Sequence, residues 1–306
     1  MNQDAVIRID GLTHYYGHFR ALDNITLQVG RKEVFGFLGP NGAGKSTTIG
    51  ILLGLQYPTS GKVEILGERV SPMQNQALRK VGAMFGAPGF IPYLSGKENL
   101  QMLARISGVD ETRAQSLLEQ VGLSDAAKKK VSAYSLGMRQ RLALAAALVH
   151  QPDLLILDEP TNGLDPVYMR EFRELVRSLA QSGVTVFLSS HLLYEVEQIC
   201  DRVAMLHHGQ LLAQGTVDDL LGSRLVVRVR VSPMTTATEI LKDCPGVQHI
   251  QAAGDYLDVS GIPGQQIVAC LAHHDIYPSE VVMRRNDLEE TFMKLIEEPQ
   301  AEGIVS

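Results

Sequence analysis

A glycine-rich run stands near the beginning of the chain and reads Gly39-Pro40-Asn41-Gly42-Ala43-Gly44-Lys45-Ser46-Thr47. It follows segment 34–38, whose apolar residues indicate a buried strand, and it precedes segment 49–53, whose apolar residues have helical spacing. A strand, a loop with the pattern G-x-x-x-x-G-K-[ST] and a helix, in this order, are typical of a phosphate-binding loop.

Each part of the glycine-rich run has a physical role in holding a polyphosphate. Glycines let the backbone bend tightly and approach the anion, and the N–H groups of the loop and of the first helical turn attract it. Lys45 supplies a positive charge to the β- and γ-phosphates, and Ser46 is placed to bind Mg²⁺. A turn without a ligand would not require lysine and serine after its last glycine, so we predict a nucleoside triphosphate site.

Composition and length limit the class of protein. The chain has 306 residues, of which 45% are hydrophobic and 20% charged, as in globular proteins with about two domains. The net charge of −6 gives no electrostatic argument for a nucleic-acid partner, and none is expected. We recognise neither a secretory signal nor an apolar segment near the roughly 20 residues of a membrane-spanning helix, so a membrane role would come through a partner.

The cysteines and histidines give no sign of a metal site. Cys200, Cys244 and Cys270 are far apart and fit neither zinc spacing nor a disulfide framework. We therefore expect buried or free thiols in a reducing cytosol. The adjacent histidines at 207–208 and 273–274 cannot share a helix face, which favours surface positions.

Two further apolar segments, 154–157 and 184–188, predict buried strands that end in polar residues. Asp158 and Glu159 follow the first segment, and His191 comes shortly after the second. Ligands bind at the carboxyl ends of parallel strands, and buried strands seldom end in two carboxylates without a cation. We predict that Asp158 holds Mg²⁺ and that Glu159 activates water as a general base. A lone histidine is usually structural, but His191 is placed where a phosphate donor is needed.

Two other candidate residues, Ser135 and Tyr16, allow two interpretations each. Ser135 is a good N-cap for the alanine-rich helix predicted to extend to residue 150, which alone would explain it. A hydroxyl followed by Gly137 at a helix start is also suited to binding phosphate. Tyr16 precedes a turn glycine, where its ring could stack on a nucleotide base or simply pack against a hairpin. Asp165 lies in a predicted turn at 162–166, before another helix.

The remaining pattern predicts two kinds of architecture. Strands at 6–9 and 25–29 are joined through the turn at 15–17, and the region 95–130 is helical in pattern. From about residue 223 the pattern predicts a small α+β domain with strands at 225–231, 247–251, 255–260 and 280–284 and helices at 235–243, 264–274 and 287–297.

The order of these elements over residues 5–222 resembles that of the nucleotide-binding subunits of ABC transporters. The sequence Tyr134-Ser135-Leu136-Gly137-Met138 and the C-terminal extension resemble the bacterial drug- and peptide-antibiotic exporters of the bacitracin and daunorubicin resistance type. The resemblance implies an α/β fold, a P-loop NTPase core with antiparallel β and helical subdomains. That nucleotide-binding domain would span residues 1–222, with the helical subdomain at about 87–150, and an accessory α+β domain would span 223–306.

The resemblance also implies a role for each candidate residue within one subunit. Residues 39–47 would be the Walker A loop, and Tyr16 would stack on the adenine of ATP. Asp158 would be the Walker B acid that holds Mg²⁺, and Glu159 would be the catalytic glutamate. His191 would contact the γ-phosphate.

Other residues would act across a dimer of two copies of the chain. Ser135 and Gly137 would contact the γ-phosphate of the ATP held by the opposite subunit, and Asp165 would reach across the dimer. ATP would close the dimer, hydrolysis at Glu159 would reopen it, and these motions would power export through a separate integral membrane subunit. That subunit would contact the helical region 87–150, which places the chain at the cytoplasmic face of the membrane.

The sequence departs from the family pattern at two places. Residues 135–138 read Ser-Leu-Gly-Met instead of Ser-Gly-Gly-Gln, which is normal for this branch, whereas the departure at residue 86 is sharper. After segment 81–85 the family usually has glutamine, or in some exporters glutamate, which reaches Mg²⁺ and the attacking water. This chain has Gly86. We therefore expect a weak or altered dependence on Mg²⁺, with water completing the metal shell; alternatively, segment 86–89 acts only as a hinge.

Two other functions remain open at this level. A degenerate ATP-binding subunit paired with a different, active subunit is slightly favoured by Gly86 and opposed by intact Lys45, Asp158, Glu159 and His191. A soluble ABC ATPase acting on ribosomes or DNA would carry two cassettes or a long coiled coil. This sequence has one cassette, no heptad run and a negative net charge.

Overall fold

The computed structural model describes residues 5–86, 89–221, 226–284 and 287–297. The contacts divide the chain into two units, one ending at Thr216 and the other beginning at Val217. The expected boundary lies slightly later, after residue 222. The helix at Val217–Leu221 falls in the second unit, where the hydroxyl of Thr291 donates to the carbonyl oxygen of Leu220.

The first unit combines two sheets with helices. In chain order it contains β1 (Ile7–Tyr16), β2 (Phe19–Val29), β3 (Val34–Leu38), α1 (Lys45–Leu52), β4 (Ser60–Ile65), β5 (Glu68–Arg69), β6 (Val81–Met84), α2 (Gly96–Ile106), α3 (Arg113–Gln120), α4 (Leu136–Ala147), β7 (Leu154–Asp158), α5 (Pro166–Gln181), β8 (Thr185–Ser190), α6 (Leu193–Ile199), β9 (Arg202–His207) and β10 (Gln210–Thr216). Short 3₁₀ segments lie at Gln76–Lys80, Ser124–Ala126 and Val131–Ala133.

The central sheet of this unit has the strand order β10-β9-β3-β8-β7-β6. All its neighbouring strands are parallel except β9 and β10. β3 and β8 are buried throughout and β7 nearly so, because both faces of a parallel sheet are covered. The carboxyl ends of β3, β7 and β8 therefore lie side by side, with Asp158 opposite Ser189 and Leu38 opposite Ser190.

The second sheet is antiparallel and has the strand order β2-β1-β4-β5. Its apolar face shares one core cluster with the central sheet, in which Ile9 and Leu27 belong to the same group as Phe35, Phe37 and Phe187. The rings of Phe35 and Phe187 stack with centroids 5.8 Å apart. The two strands predicted at the start of the chain are thus confirmed as β1 and β2, but both are longer than predicted, and the turn lies at residues 17–18 because Tyr15 and Tyr16 still pair with β2.

The helical region contains α2, α3 and α4. Ser95 and Glu98 form a capping box that begins α2, and the side chain of Ser135 caps α4. Apolar residues at helical spacing, among them Leu100, Leu117 and Leu118, are buried. The helical pattern predicted for residues 95–130 is confirmed for α2 and α3, which a short loop and 3₁₀ segments separate from each other and from α4.

The second unit is an α+β domain, as predicted. It contains α7 (Val217–Leu221), β11 (Val226–Arg230), α8 (Met234–Lys242), β12 (His249–Ala253), β13 (Tyr256–Ser260), α9 (Gly264–Ala272), β14 (Glu280–Arg284) and α10 (Leu288–Glu297). The antiparallel strand order is β12-β13-β11-β14. Val227 and Val229 of β11 form a core with Leu241 of α8 and with Ile267 and Leu271 of α9.

The structure corrects the expectation for the cysteines. Cys244 and Cys270 form a disulfide, with their Cα atoms 6.4 Å apart, because α8 and α9 pack against the same core. Spacing along the chain does not reveal such a tertiary neighbour. Cys200 is free and buried, and this burial raises the pKa of its thiol well above the usual value.

The described part of the chain contains no helix that is both long enough and apolar enough to cross a membrane.

Candidate nucleotide site

The glycine-rich loop lies between the carboxyl end of β3 and the first turn of α1. Its backbone is tied to the neighbouring strand, since the N–H of Gly39 donates to the carbonyl oxygen of Ser190 at 3.3 Å. A Cβ atom at Gly39 would collide with the carbonyl oxygen of Leu206. Gly44 has a φ of 107°, and a Cβ there would lie 2.6 Å from Leu22. These close approaches explain why the loop requires glycine at both positions.

Lys45 is the first residue of α1, and only 5% of its side chain is exposed. Its ammonium nitrogen donates to the carbonyl oxygens of Gly39 at 2.6 Å and Pro40 at 3.2 Å. It also forms an ion pair with Oε1 of Glu159 at 3.1 Å. The loop thus wraps around the ammonium group, which holds a concentrated positive charge beside the acidic end of β7.

The two predicted acids have different surroundings. Oδ1 of Asp158 accepts a hydrogen bond of 2.6 Å from the hydroxyl of Ser189. Glu159 has a φ of 48°, a left-handed backbone that is uncommon for residues other than glycine. Its backbone N–H donates to Oγ of Ser189 at 3.0 Å. Oε2 of Glu159 lies 2.8 Å from Nδ1 of His191.

The structure therefore brings together residues that are far apart in sequence. The Glu159 carboxylate contacts Lys45 through one oxygen and His191 through the other, and Asp158 is its neighbour at the end of β7. Ser46 is exposed in the first turn of α1, next to Lys45. A carboxylate and a hydroxyl suit Mg²⁺, which normally takes one or two protein ligands and completes its shell with water and substrate phosphates. The donor set of Asp158 and Ser46 fits that ion.

The predicted second phosphate surface lies elsewhere in the unit. The hydroxyl of Ser135 caps α4 by accepting the N–H of Met138 at 3.2 Å. A Cβ on Gly137 would lie 3.7 Å from Leu164, so the start of α4 adjoins the turn that leads to α5. Among the described residues, no hydrogen bond connects Ser135 or Gly137 with the glycine-rich loop.

Asp165 has a local structural role. Its carboxylate accepts the N–H of Tyr168 at 2.9 Å and caps α5. The side chain is exposed in the turn that adjoins the start of α4. This cap explains an aspartate at the position on local grounds alone.

Tyr16 lies at the end of β1, and half of its surface is exposed. Its hydroxyl donates to Oε1 of Gln56 at 3.0 Å, and Nε2 of Gln56 donates to the carbonyl oxygen of Thr47 at 3.3 Å. The side chain of Gln56 therefore connects Tyr16 to the last residue of the glycine-rich loop.

Gly86 follows β6 with a φ of 68°, and a Cβ atom there would meet nothing within 4 Å. It lines a cavity of about 240 Å³ together with Phe85, Asn99, Leu103 and Ala143. Residues 87–88, which belong to the proposed hinge, lie outside the described residues. The space beside Gly86 can accept a side chain, although its backbone favours glycine.

Sequence reasoning missed Ser189 and Gln56 as parts of this site. Ser189 connects both acids, and Gln56 connects Tyr16 to the loop. The position of Ser189 directly before a second serine and His191 is a signal in the sequence, but its partners become clear only from the β7–β8 register.

Comparisons with known proteins agree with this geometry. The family model for ABC transporters matches residues 22–162. The bacitracin transport ATP-binding protein BcrA of Bacillus licheniformis is 39% identical over 298 residues, which cover 95% of this chain and 97% of that protein. The daunorubicin resistance ATP-binding protein DrrA3 of Streptomyces coeruleorubidus is 35% identical over 305 residues, which cover 95% of this chain and 96% of that protein.

A solved structure has a similar fold. It is a dimeric post-hydrolysis state of an ATP-binding cassette bound to ADP and phosphate, with 26% identity and a TM-score of 0.64. The match covers 69% of this chain and 99% of that one. Fold, site geometry and relatives agree, and the chain belongs to the family of ABC transporter ATP-binding proteins.

Proposed function

We propose that this chain hydrolyses ATP to power the export of a drug or peptide antibiotic through a separate membrane-spanning subunit. The proposal rests on one observation: at the carboxyl edge of the parallel sheet, the Glu159 carboxylate contacts both Lys45 and His191. The names of the bacitracin and daunorubicin relatives support the class of substrate.

The contacts suggest how ATP prepares its own hydrolysis. The β- and γ-phosphates compete with Glu159 for Lys45, whose ammonium group is already held in the loop by two carbonyl oxygens. Once released from Lys45, Glu159 activates a water molecule, while His191 orients its carboxylate and contacts the γ-phosphate. Ser46 and Asp158 would hold Mg²⁺, which neutralises charge on the phosphate oxygens when bound.

Two copies of the chain would act together. Ser135 is exposed at the start of α4, and the next residues, Leu136 and Gly137, adjoin the turn that precedes Asp165. A second copy facing this surface would place its ATP against Ser135 and Gly137, whose helix start favours an anion. The dimeric cassette among the structural relatives supports this arrangement.

The membrane partner would bind the helical region. The cavity beside Gly86 lies between β6, α2 and α4 and is lined by apolar side chains such as Phe85, Met102 and Leu103. Such a surface suits a short helix of the membrane subunit, which would hold the chain at the cytoplasmic face. The alternative of a degenerate subunit receives less support, since Lys45, Glu159 and His191 are all present and in contact.

Substitution of His191 tests the proposed chemistry. We expect His191→Ala to lower the turnover of ATP by about 100-fold or more, while the affinity for a fluorescent ATP analogue stays within a few-fold. His249→Ala, which changes an exposed histidine of the second unit, serves as the control and should hydrolyse ATP at the wild-type rate. Wild-type turnover by His191→Ala would contradict the proposed site.

A further inference from the structure

We infer that Ser189 is a positioning residue that sets the geometry of both acids through one hydroxyl group. Its Oγ accepts the backbone N–H of Glu159 at 3.0 Å and donates to Oδ1 of Asp158 at 2.6 Å. The inference rests on the proposed roles of Asp158 and Glu159.

The direction of both hydrogen bonds follows from their chemistry. A hydroxyl has one proton to donate, a carboxylate only accepts, and a backbone N–H only donates. The proton of Ser189 therefore points at Asp158, and a lone pair faces Glu159. The bond to the carboxylate is short, as expected when the acceptor is charged. It uses one lone pair of the carboxylate, whose other lone pairs could serve a cation.

The bond to Glu159 acts on an unusual backbone. Glu159 has a φ of 48° and precedes Pro160, although a residue before proline favours an extended backbone. A residue other than glycine keeps a left-handed backbone only where the surrounding structure holds it there, and such residues cluster at functional sites. The N–H bond to Ser189 holds this conformation, and the conformation directs the carboxylate to Lys45 and His191.

The sheet holds Ser189 rigidly in this place. It is fully buried on β8, and the parallel register sets it opposite Asp158 on β7. The next residues of the same segment are also tied to the site, because the carbonyl of Ser190 accepts the N–H of Gly39 and His191 contacts Glu159. One short segment thus fixes the phosphate loop, the metal-binding acid and the general base relative to each other.

This role predicts a specific pattern of defects. Ser189 touches neither ATP nor water in the proposed reaction, so at saturating Mg²⁺ its loss should leave the KM for ATP nearly unchanged. We expect Ser189→Ala to lower kcat by about 10- to 100-fold, as is usual for partners that orient metal ligands. The Mg²⁺ concentration that gives half-maximal enhancement of ATP binding should rise by a similar factor.

Thr185→Val is a matched control. Thr185 is a buried residue of the same strand whose hydroxyl also accepts a backbone N–H, that of Lys32 at 2.9 Å, but it lies at the opposite end of β8. We expect Thr185→Val to keep the wild-type kcat within about two-fold, and Ser189→Thr, which retains the hydroxyl, to recover most of the lost activity. Thermal unfolding identifies folded variants, and Ser189→Cys replaces the alanine variant if that one does not fold.

The measurements separate this inference from the proposed function. ATP binding is titrated with Mg²⁺ in the Glu159→Gln background with and without Ser189→Ala, which requires no hydrolysis. Wild-type turnover by Glu159→Gln alone would contradict the proposed function, and the titration would still test Ser189. The inference would be overturned if Ser189→Ala changed neither the Mg²⁺ requirement nor kcat, or if Thr185→Val lowered kcat as much as Ser189→Ala does.

Discussion

The carboxylate of Glu159 lies between Lys45 of α1 and His191, which follows β8, and its backbone N–H donates to Ser189. When Lys45 binds a more strongly charged anion, its ion pair with the Glu159 carboxylate weakens and the carboxylate can change position. The triphosphate of ATP is such a ligand for Lys45, since it carries several negative charges. In the proposed reaction, binding of ATP and release of Glu159 from Lys45 would thereby be coupled at a single residue.

Gly86 offers a test at the same scale. We expect Gly86→Gln to lower the Mg²⁺ concentration needed for half-maximal turnover, because the amide can reach a cation shell that water otherwise completes. The side chain has room, but the left-handed backbone costs a residue other than glycine about 1–2 kcal/mol. Gly86→Ala carries the same backbone cost without the amide and is the control. A titration with Mg²⁺ in which both variants match the wild type would contradict this expectation.

At the scale of elements, β6 and α4 pack so closely that a glycine is required between them. A Cβ on Gly82 would collide with the carbonyl oxygen of Ala147 at the end of α4. This atom belongs to the backbone and cannot rotate away, so β6 and α4 would have to separate. The position of α4 in turn sets that of Ser135 and Gly137.

We expect Gly82→Ala to lower the free energy of unfolding by about 1–3 kcal/mol, the usual cost of overpacking. Denaturant unfolding of the full chain measures the change. Gly30→Ala is the control, since a Cβ there would first meet the flexible side chain of Glu33 at 3.4 Å. Equal stability of Gly82→Ala and the wild type would show that β6 and α4 are packed less tightly than the structure indicates.

Much of the fold follows from the sequence because the pattern and the local chemistry agree. The glycine-rich loop, the acidic end of β7 and strand β14 at 280–284 lie where they were predicted. No prediction covered α6, β9 and β10, which follow His191; β10 pairs as an antiparallel edge strand, and its place depends on tertiary contacts. The disulfide and the double role of Ser189 were missed for the same reason, since both depend on neighbours from distant segments.

At the scale of the whole molecule, Ser135 and Gly137 would meet the ATP of the other copy in an assembly of two copies, since among the described residues neither is hydrogen-bonded to the glycine-rich loop of its own chain. A substitution of Gly137 can distinguish an effect on the folding of one chain from an effect on contact with a second copy. A Cβ there would make an ordinary contact of 3.7 Å with Leu164, and alanine is a better helix former than glycine. The folded chain therefore tolerates alanine, whereas the ATP of a second copy would meet an added methyl group.

We expect Gly137→Ala to unfold at or above the wild-type temperature and to lose roughly 10- to 100-fold in ATP turnover, because small displacements at a reacting phosphate are costly. Calorimetry and an ATPase assay measure the two effects on one preparation. If turnover stays at the wild-type rate, Gly137 does not approach a phosphate of the second copy.

We propose that each chain carries all the catalytic residues and that two copies close on ATP to complete each hydrolytic site. ATP turnover and ATP-dependent self-association should be measured for the purified wild type and for Glu159→Gln. We expect the wild type to hydrolyse ATP, and the glutamine variant to lose at least about 100-fold in turnover and to form a dimer when ATP is added. Undiminished hydrolysis by Glu159→Gln, or a Glu159→Gln protein that stays monomeric with ATP, would contradict this proposal.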